Sequence, residues 1–299
     1  MVENISIIIV SYNSEKYISN LLRAIVNSLN NQEIIVIDNA SKDKTCKIIE
    51  TKFSQAKLVR NSQNIGFAAG ANQGAKAARG QYLLFLNPDT TVKSGSIAKM
   101  IDFLKSKKDA AAVGCKVLNL DGTLQPSCGK FPTILRILFD RVKFLNVNNG
   151  IQIRNQNFYK ITQTVDWVSA SAILVKKSVF ASLGGFNENI FMYGEDFELC
   201  FRLKQAGYQN YFFPDLEIIH YDTGKNNPLR KPHKYFSMRK GFLIFFKEYR
   251  PTISYLTLHL LIKLEALFFL LLLPLRKYKY AKEKYLWKKY LIESLNITV

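Results

Sequence analysis

Acidic and amide side chains stand directly after an apolar run in the first third of the sequence. The run LLFL over residues 83–86 leads straight into Asn87, a proline and Asp89. Mg²⁺ or Mn²⁺ bound to a diphosphate needs only one or two protein carboxylates, because phosphate oxygens and water complete its coordination shell. Asp89 is therefore a candidate metal ligand. The alternative is a turn, Asn-Pro-Asp-Thr, that caps a helix over residues 97–104.

Other polar residues follow apolar runs in the same way. Asp38 follows IIVI and could accept hydrogen bonds from a nucleotide base or ribose, or form an Asx turn that caps the next helix. His220 ends an apolar stretch, where a neutral imidazole could bind the same metal as Asp89 or could be a partly buried structural ring. Asn64 and Gly66 begin NIGFAAGANQG, whose small residues allow a helix to lie close to a sheet or to a ligand.

An acidic pair, Glu195 and Asp196, stands where a helix is predicted to begin. The helix dipole favours ionised carboxylates there, whereas the adjacent acids and Glu198 oppose one another's ionisation. The pair could cap the helix or do chemistry. Sugar rings present C–H faces that stack on aromatic side chains, which favours a site. The aromatic residues are Trp167, earlier in the sequence, and Phe191 and Tyr193, just before the pair.

The elements that position these residues alternate between short β-branched runs and helical patterns through the first 120 residues, which is typical of a parallel sheet covered by helices. Ligands of such open sheets bind beyond the carboxyl ends of the strands. Ser11, Asn13, Asp38, Asn87 and Asp89 occupy these positions. Strands are predicted over 6–10, 33–37, 57–59, 82–86 and 111–117, and a variable surface segment over 128–164.

Cysteine usage and the N-terminal residues predict a cytoplasmic protein. The four cysteines form no Cys-x-x-Cys pair, which favours reduced thiols over a zinc site or a disulfide framework. The apolar run over residues 5–10 is too short for a signal peptide, and Glu3 stands where such a peptide would be basic. The sequence also lacks a Gly-x-Gly-x-x-Gly loop, a Walker lysine loop, His-Glu-x-x-His and Gly-x-Ser-x-Gly.

The positive charge is concentrated near the C-terminus. The chain has a formal net charge of +19, and residues 225–299 hold 16 Lys plus Arg against 4 Asp plus Glu, a difference of +12. The same region contains LEALFFLLLLPL over residues 264–275. Basic flanks around an apolar helix indicate an anionic membrane surface. Lys263 and Glu265 interrupt the run and favour an interfacial helix over a spanning one.

Taken together, these stretches resemble the family 2 glycosyltransferases with the GT-A fold, and most closely the rhamnosyltransferase-like branch. The similarity covers about residues 6–224, and the order of the stretches is its most specific feature. They are SIIIVSYN, IIVIDNASKDKT, NSQNIGFAAGANQG, LFLNPDT, WVSASAILVKKSVFASLGGFNENIFMYGEDFELCFRLKQAG and IIHYDTG.

The resemblance implies an α/β fold, a Rossmann-like, mostly parallel mixed sheet over residues 1–224, followed by a helical, membrane-associating extension over 225–299. It implies that Asp89 holds the metal and donor diphosphate, that Asp38 contacts the nucleotide and that Asp196 is the catalytic base. The predicted donor-binding set is Ser11, Asn13, Asp38, Asn64, Gly66, Asn72, Asn87 and Asp89. The other predicted sets are Asp196 and Glu195 for catalysis, Trp167, Phe191 and Tyr193 for the acceptor, and Asp89 and His220 for the metal.

Two positions depart from the pattern of the family. Many relatives have Asp-x-Asp where this chain has Asn87-Pro88-Asp89, and relatives tend to have Asn or Arg in place of Ala71. The first departure leaves one certain metal carboxylate, and the second removes one possible donor contact.

The implied reaction is inverting transfer of a sugar from a nucleoside diphosphate sugar, with dTDP-rhamnose slightly favoured over UDP-linked sugars, using Mg²⁺ or Mn²⁺. The implied acceptor is a lipid-linked glycan of a bacterial surface polysaccharide, at the inner face of the cell membrane. Two other functions stay open. A nucleotidyltransferase would also use a metal and a nucleotide, and a non-catalytic basic protein would bind nucleic acid or lipid by charge. The first 220 residues do not show the interleaved basic and aromatic residues expected for nucleic acid.

Overall fold

We describe the protein from a computed structural model, over residues 5–28, 32–92, 96–140, 150–221 and 228–299. The chain forms two compact units. The first contains Met1–Glu188 and Asp196–Tyr221, and the second contains Asn189–Glu195 and Asp222–Val299. The predicted boundary at residue 224 lies outside the described residues.

The first unit alternates strands and helices. Its strands are β1 Ile5–Ser11, β2 Glu33–Asp38, β3 Lys57–Arg60, β4 Tyr82–Leu86, β5 Thr90–Val92, β6 Ala110–Leu118, β7 Leu124–Gln125, β8 Cys128–Gly129, β9 Gln163–Val165, β10 Trp167–Val168, β11 Ala172–Lys176 and β12 Gln209–His220. Its helices are α1 Ile18–Val26, α2 Thr45–Lys52, α3 Gly66–Ala77, α4 Ser96–Ser106, α5 Ile134–Phe139, α6 Lys177–Ser182 and α7 Glu195–Gln205, whose first residue belongs to the second unit. A 3₁₀ helix spans Gln156–Lys160.

Ten strands form one mixed sheet. Its main order is β3-β2-β1-β4-β11-β6-β12-β5, with β7 beside β6 and β9 beside β12, while β8 and β10 form a separate pair. The pairs β3/β2, β2/β1, β1/β4 and β6/β12 are parallel, and β11 runs antiparallel to both of its neighbours. This arrangement confirms the predicted mixed α/β class. The five predicted strands correspond to β1, β2, β3, β4 and β6.

Both faces of the central strand β1 are covered, which explains its continuous apolar run. Ile5, Ile7 and Ile9 belong to the same buried cluster as apolar residues of α1 and α4. On the opposite face, a Cβ atom at Gly74 would lie 2.5 Å from Cγ2 of Ile8. The small residues of α3 therefore let this helix lie close to the sheet.

The segment after β8 differs from the surface loop that the sequence predicts. Phe131, Ile137, Ile151 and Tyr159 are buried, and the Tyr159 hydroxyl donates a 2.8 Å hydrogen bond to the Ile153 carbonyl. The residues over 141–149 lie outside the described part of the chain. The isolated apolar side chains here lack helix or strand periodicity, so their burial depends on long-range packing.

Over residues 228–299, the second unit contains three helices, α8 Lys231–Tyr249, α9 Thr252–Leu272 and α10 Ala281–Leu295. Ala266 of α9 packs with Trp287 and Leu291 of α10 in a small apolar cluster. The guanidinium of Arg239 on α8 donates a 2.6 Å hydrogen bond to the Glu265 carboxylate of α9. One of the two charges that interrupt the apolar run is therefore paired within this unit.

The remaining face of α9 is apolar and exposed. The 21-residue helix is long and apolar enough to cross a membrane, by length and composition only. We call its exposed side the α9 face. It consists of Ile253, Leu256, Leu260, Leu264, Leu267, Phe268, Leu271 and Leu272.

Candidate active site at the carboxyl ends of the strands

The ends of β1 and β2 bring two polar side chains together. Ser11 pairs with Asp38 in the parallel register of these strands, and both residues are buried. Within the described part of the chain, Ser11 Oγ and Asp38 Oδ1 have no hydrogen-bond partner. A buried polar atom without a partner costs about 1–3 kcal/mol, so such atoms call for an explanation. Both can accept hydrogen bonds from a polar ligand at this edge of the sheet.

The other carboxylate oxygen of Asp38 holds the backbone turn. Asp38 Oδ2 accepts a 2.9 Å hydrogen bond from the Ser41 N–H, as the alternative of an Asx turn expected. It does not cap the next helix, because α2 has Lys44 at its N-cap and no side-chain cap. Burial, followed by the nearby Asp38 carboxylate, raises the pKa of the Cys46 thiol to about 11.

Asn13 joins the loops that follow β1 and β2. It has a positive φ of 50°, a conformation that Asn adopts more readily than most residues. Its backbone N–H donates to Ser41 Oγ at 2.8 Å, and its side-chain Oδ1 accepts from the Lys42 N–H at 2.8 Å. These bonds fix the shape of the loop edge next to Ser11 and Asp38.

Asn64 and Gly66 form the start of α3. Asn64 Oδ1 accepts a 3.0 Å hydrogen bond from the Gly66 N–H, and Gly66 has a φ of 86° that favours glycine. Asn39, which directly follows Asp38, donates from Nδ2 to the Gly66 carbonyl at 2.9 Å. The α3 start is therefore tied to the end of β2. The Asn64 side chain is exposed, and donor binding by it stays a prediction.

Asn72 lies further along α3 and is buried. Its Oδ1 accepts from the Phe186 N–H at 2.8 Å, and its Nδ2 donates to the Phe186 carbonyl at 2.8 Å and to Glu188 Oε1 at 2.9 Å. The amide is thus engaged with the chain over residues 186–188. Direct donor binding by Asn72 stays a prediction.

Asp89 and His220 face each other: Asp89 lies between β4 and β5, and His220 is the last residue of β12. Thr90 of β5 pairs with His220 of β12, and the Tyr221 N–H donates to the Asp89 carbonyl at 2.9 Å. As a result, His220 Nε2 lies 3.2 Å from Asp89 Oδ1, with side chains only 11% and 16% exposed. The residues involved are 131 positions apart in the sequence.

A divalent metal ion fits this pair. The described residues contain no group of three or more His, Cys, Asp or Glu side chains that could hold a metal ion. A site here would therefore consist of one carboxylate and one imidazole. Mn²⁺ and Mg²⁺ accept few protein ligands when phosphate oxygens occupy the remaining positions. Asp89 and His220 would hold such an ion together with a diphosphate.

Asp196 is linked to the end of β4 by the turn between β10 and β11. The Asn87 N–H donates to the Ser171 carbonyl at 3.1 Å, and the Ala170 N–H donates to the Asp196 carboxylate. The Phe197 N–H donates to Asp196 Oδ1 at 2.8 Å. Burial raises the pKa of Asp196 from its ordinary 3.8 to about 6, and these N–H donors oppose the rise. A carboxylate with such a pKa suits proton acceptance near neutral pH.

The acids next to Asp196 have different surroundings. Glu195, the first residue of α7, is buried. Glu198 is also buried, and both of its carboxylate oxygens accept 2.7 Å hydrogen bonds from Arg202, four residues later. Arg202 also donates to the carbonyls of Leu183 and Gly185. This ion pair gives Glu198 a structural role that the sequence analysis did not assign.

The three predicted acceptor-binding aromatics differ in exposure. Trp167 is 5% exposed, and its indole N–H donates to the carbonyls of Lys130 and Ile151. Phe191 is 40% exposed and belongs, like Tyr193, to the second unit. Tyr193 has a positive φ of 69°, and the Lys234 ammonium lies 5.3 Å from its ring centroid. Acceptor binding by these residues stays a prediction.

The sequence analysis missed Gln125. Its Nε2 atom lies 3.2 Å from His220 Nδ1, on the side of the ring opposite Asp89. The signal available in the sequence was the turn at Asp121 and Gly122, which predicts a hairpin and so a second strand beside β6. Gln125 lies on that strand, β7, opposite Val117 of β6.

Comparison with known proteins gives one family. A family model described as Glycosyl transferase family 2 matches residues 6–172. The chain is 32% identical over 224 residues to "Rhamnosyltransferase WbbL" of Escherichia coli (strain K12), which covers 72% of this chain and 82% of the relative. It is 28% identical over 210 residues to "N-acetylglucosaminyl-diphospho-decaprenol L-rhamnosyltransferase" of Mycobacterium tuberculosis (strain ATCC 25618 / H37Rv), which covers 64% of this chain and 68% of the relative.

Solved structures confirm the fold. The mannosyltransferase PcManGT from Pyrobaculum calidifontis, in complex with GDP-Man and Mn²⁺, matches with a TM-score of 0.59 at 16% identity, over 99% of this chain and 88% of that chain. At this identity the likeness shows the fold alone. Some other matching structures belong to longer proteins, of which this chain spans 44%.

Proposed function

The chain belongs to glycosyl transferase family 2 and is a glycosyltransferase with rhamnosyltransferase-like relatives, and we propose that it works by inversion with a divalent metal ion. One observation carries this proposal. The buried hydrogen-bonding atoms Ser11 Oγ and Asp38 Oδ1 lie at the same edge of the sheet as the Asp89–His220 pair, because β1, β2, β4 and β12 run in the same direction. Such an edge suits a nucleoside at one end and a diphosphate at the other.

Asp196 acts as the general base in this proposal. Its carboxylate accepts the proton of the acceptor hydroxyl while that oxygen attacks the anomeric carbon, and the bond from that carbon to the diphosphate breaks. A single displacement inverts the configuration and forms no covalent intermediate with the protein. Asp38 and Ser11 orient the nucleoside through hydrogen bonds. When bound by Asp89 and His220, the metal ion would stabilise the charge of the departing diphosphate.

The donor we propose is dTDP-rhamnose, with a UDP-linked sugar as the next choice. Two relatives bear names for rhamnosyl transfer, which supports a deoxyhexose. The name of the M. tuberculosis relative specifies an acceptor sugar on a lipid diphosphate. We propose an acceptor of the same chemistry here, a glycan hydroxyl on a lipid carrier of a bacterial surface polysaccharide.

The second unit supports a position at the cytoplasmic face of a membrane. Its α9 face is apolar and exposed, and exposed basic residues follow the helix at Arg276, Lys277 and Lys279. Each basic residue near an anionic surface contributes about 1 kcal/mol to attraction. Glu265 of α9 pairs with Arg239 of α8, so this charged side of α9 faces α8. This pairing supports peripheral attachment through the opposite, apolar side of α9.

Thermal unfolding with a panel of nucleotide sugars tests the donor and the metal together. A ligand that binds only the folded protein stabilises it, by about 2.7 kcal/mol at a concentration of 100 times Kd. We expect dTDP-rhamnose to raise the unfolding temperature more in the presence of Mn²⁺ than without it. We expect Asp89→Ala to abolish this difference and to nearly abolish transfer while the protein stays folded.

Full transfer activity in excess EDTA, or in Asp89→Ala, would contradict the metal role. The family match supports sugar transfer over the two alternatives left open by the sequence, a nucleotidyltransferase and a non-catalytic basic protein.

A further inference from the structure

The ring of His220 lies between two side chains that contact its two nitrogens. His220 Nε2 is 3.2 Å from Asp89 Oδ1, and His220 Nδ1 is 3.2 Å from Gln125 Nε2. The other end of the Gln125 amide, Oε1, is buried and has no hydrogen-bond partner among the residues that the structure describes. The Gln125 amide is therefore the group that can hydrogen-bond Nδ1, through either its nitrogen or its oxygen.

This orientation of the amide fixes the position of the imidazole proton. In a neutral imidazole one nitrogen donates and the other accepts. Because the Gln125 amide donates to Nδ1, the proton lies on Nε2 and is donated to Asp89. Nε2 and Asp89 Oδ1 are the atoms that a metal ion at this pair would contact. Without metal, His220 Nε2 and Asp89 Oδ1 are therefore hydrogen-bonded to each other.

Metal binding requires the opposite arrangement. An imidazole ligand offers the lone pair of one nitrogen, and its other N–H usually donates to an oxygen acceptor outside the ligand set. Rotation of the Gln125 amide by half a turn about its last bond exchanges Oε1 and Nε2. Oε1 then accepts from Nδ1–H, which leaves the Nε2 lone pair available beside Asp89.

We propose that Gln125 is a positioning residue that sets the tautomer of His220, with its amide nitrogen toward the ring without metal and its amide oxygen toward the ring with metal. This proposal rests on the metal role proposed above for Asp89 and His220. Gln125 would then couple binding of the metal to a rotation of one buried amide. It would contact neither the metal nor the sugar.

Three variants separate this role from a general effect on the fold. In Gln125→Glu the carboxylate only accepts, so it favours the Nδ1–H tautomer that binds metal. Gln125→Leu has a similar size and can neither donate nor accept. Gln163→Leu is the matched control, because Gln163 lies on β9 of the same sheet and donates to the Phe158 carbonyl instead of a histidine.

Two measurements on the full-length protein test the proposal. The chain has three histidines, so ¹⁵N NMR of histidine-labelled protein resolves the His220 tautomer, assigned with His220→Asn. Without metal, we expect Nδ1 to carry no proton in wild type and to carry one in Gln125→Glu, whose carboxylate accepts from it. With Mg²⁺ and dTDP, wild type should also carry a proton on Nδ1 and none on Nε2. Mn²⁺ binding in the presence of dTDP, followed by EPR of the free ion, should weaken about 10- to 100-fold in Gln125→Leu. Gln125→Glu and Gln163→Leu should keep wild-type affinity or, for the glutamate, exceed it.

Wild-type Mn²⁺ affinity in Gln125→Leu, with an unchanged His220 tautomer, overturns the proposal. So does a Gln163→Leu protein that loses affinity equally, since the loss would then be a general effect on the sheet. If wild type itself binds no Mn²⁺, the proposed metal function fails. The metal-free NMR comparison of wild type with Gln125→Glu still decides the positioning role. If Nδ1 of His220 carries no proton in Gln125→Glu, as in wild type, the positioning role is contradicted.

Discussion

The Asp196 side chain is under two opposing influences. Backbone N–H groups of Ala170 and Phe197 favour its ionised form, whereas burial disfavours it and raises the pKa to about 6. Burial has the larger effect. A carboxylate that keeps its charge near neutral pH, and yet binds protons more strongly than an exposed one, has the properties of a general base.

Transfer activity should depend on pH through this group. The base must be ionised to accept a proton, so below about pH 6 the rate should fall about tenfold per pH unit. We expect the rate to rise from pH 5 to pH 6 and to level off above, measured as kcat/KM at fixed ionic strength. An activity that is flat from pH 4.5 to pH 7 would contradict the assignment.

The contribution of Asp196 to stability should change with pH in the direction opposite to the transfer rate. The folded pKa of about 6 lies above the ordinary value of 3.8, so between these values the folded protein binds a proton that the unfolded chain has released. The contribution of this group to the free energy of unfolding therefore decreases as pH rises through this window.

Substitutions at Glu195 and Asp196 test which of these two acids is the general base. Asp196→Asn should lose about 10² to 10⁴ in rate, because the amide cannot accept the proton, while donor affinity is retained. It should be at least as stable as wild type at pH 7, since no buried charge remains. Glu195→Gln should be the milder variant in single-turnover transfer at saturating substrates. A near-native rate in Asp196→Asn, or a greater loss in Glu195→Gln, would move the base away from Asp196.

At the scale of elements, α3 is the helix that begins beside the end of β2 and packs along β1. Its Gly70 and Gly74 allow a close approach to Val10 and Ile8 of β1. On the same helix, Asn72 bonds Phe186 through both its amide oxygen and its amide nitrogen. The position of the α3 start beside Asp38 thus depends on packing along the whole helix.

Asn72→Ala should destabilise the protein by about 1–3 kcal/mol, because it leaves the buried Phe186 N–H and carbonyl without their partner. Lys76→Ala, on the exposed side of the same helix, is the control and should change little. Urea unfolding followed by circular dichroism measures both. An unchanged midpoint in Asn72→Ala would show that these bonds add nothing. A loss of donor affinity without a loss of stability would instead support the predicted donor contact.

At the scale of the whole molecule, the excess of basic residues and the α9 face belong to the same C-terminal region. Residues 225–299 supply +12 of the net charge of +19. The α9 face has seven exposed aliphatic side chains and Phe268 on one helix. Single exposed leucines are common on protein surfaces, but a contiguous apolar patch of this kind indicates an interaction surface. The anionic membrane surface that we propose would match both the charge and the apolar area.

Liposome co-sedimentation at low salt should separate the α9 face from other exposed leucines. We expect wild type to bind vesicles containing anionic lipid, and Leu260→Glu with Leu271→Glu to lose most of that binding. The matched control is Leu120→Glu with Leu135→Glu, which makes the same change at two exposed leucines of the first unit. Equal loss in both double variants would assign the effect to charge alone. A folded, detergent-free wild type that fails to bind would contradict the membrane proposal.

The sequence by itself determined five strands of the sheet, the mixed α/β class and the family. Strand ends were predictable because periodicity and β-branched runs are local features, and Ser11, Asp38 and Asn87 were predictable as one edge because parallel strands end on the same side. The order of the motifs was sufficient to indicate glycosyl transferase family 2, which the family model confirms. The roles of the individual site residues stay predictions.

Only the tertiary structure decided which side chains meet. The approach of His220 to Asp89 requires the antiparallel pairing of β5 with β12, and the approach of Gln125 requires the hairpin beside β6. Likewise, no local pattern shows that Glu265 pairs with Arg239, 26 residues away. These contacts depend on loop closure and packing between elements distant in sequence, and neither is encoded in the periodicity of any one segment.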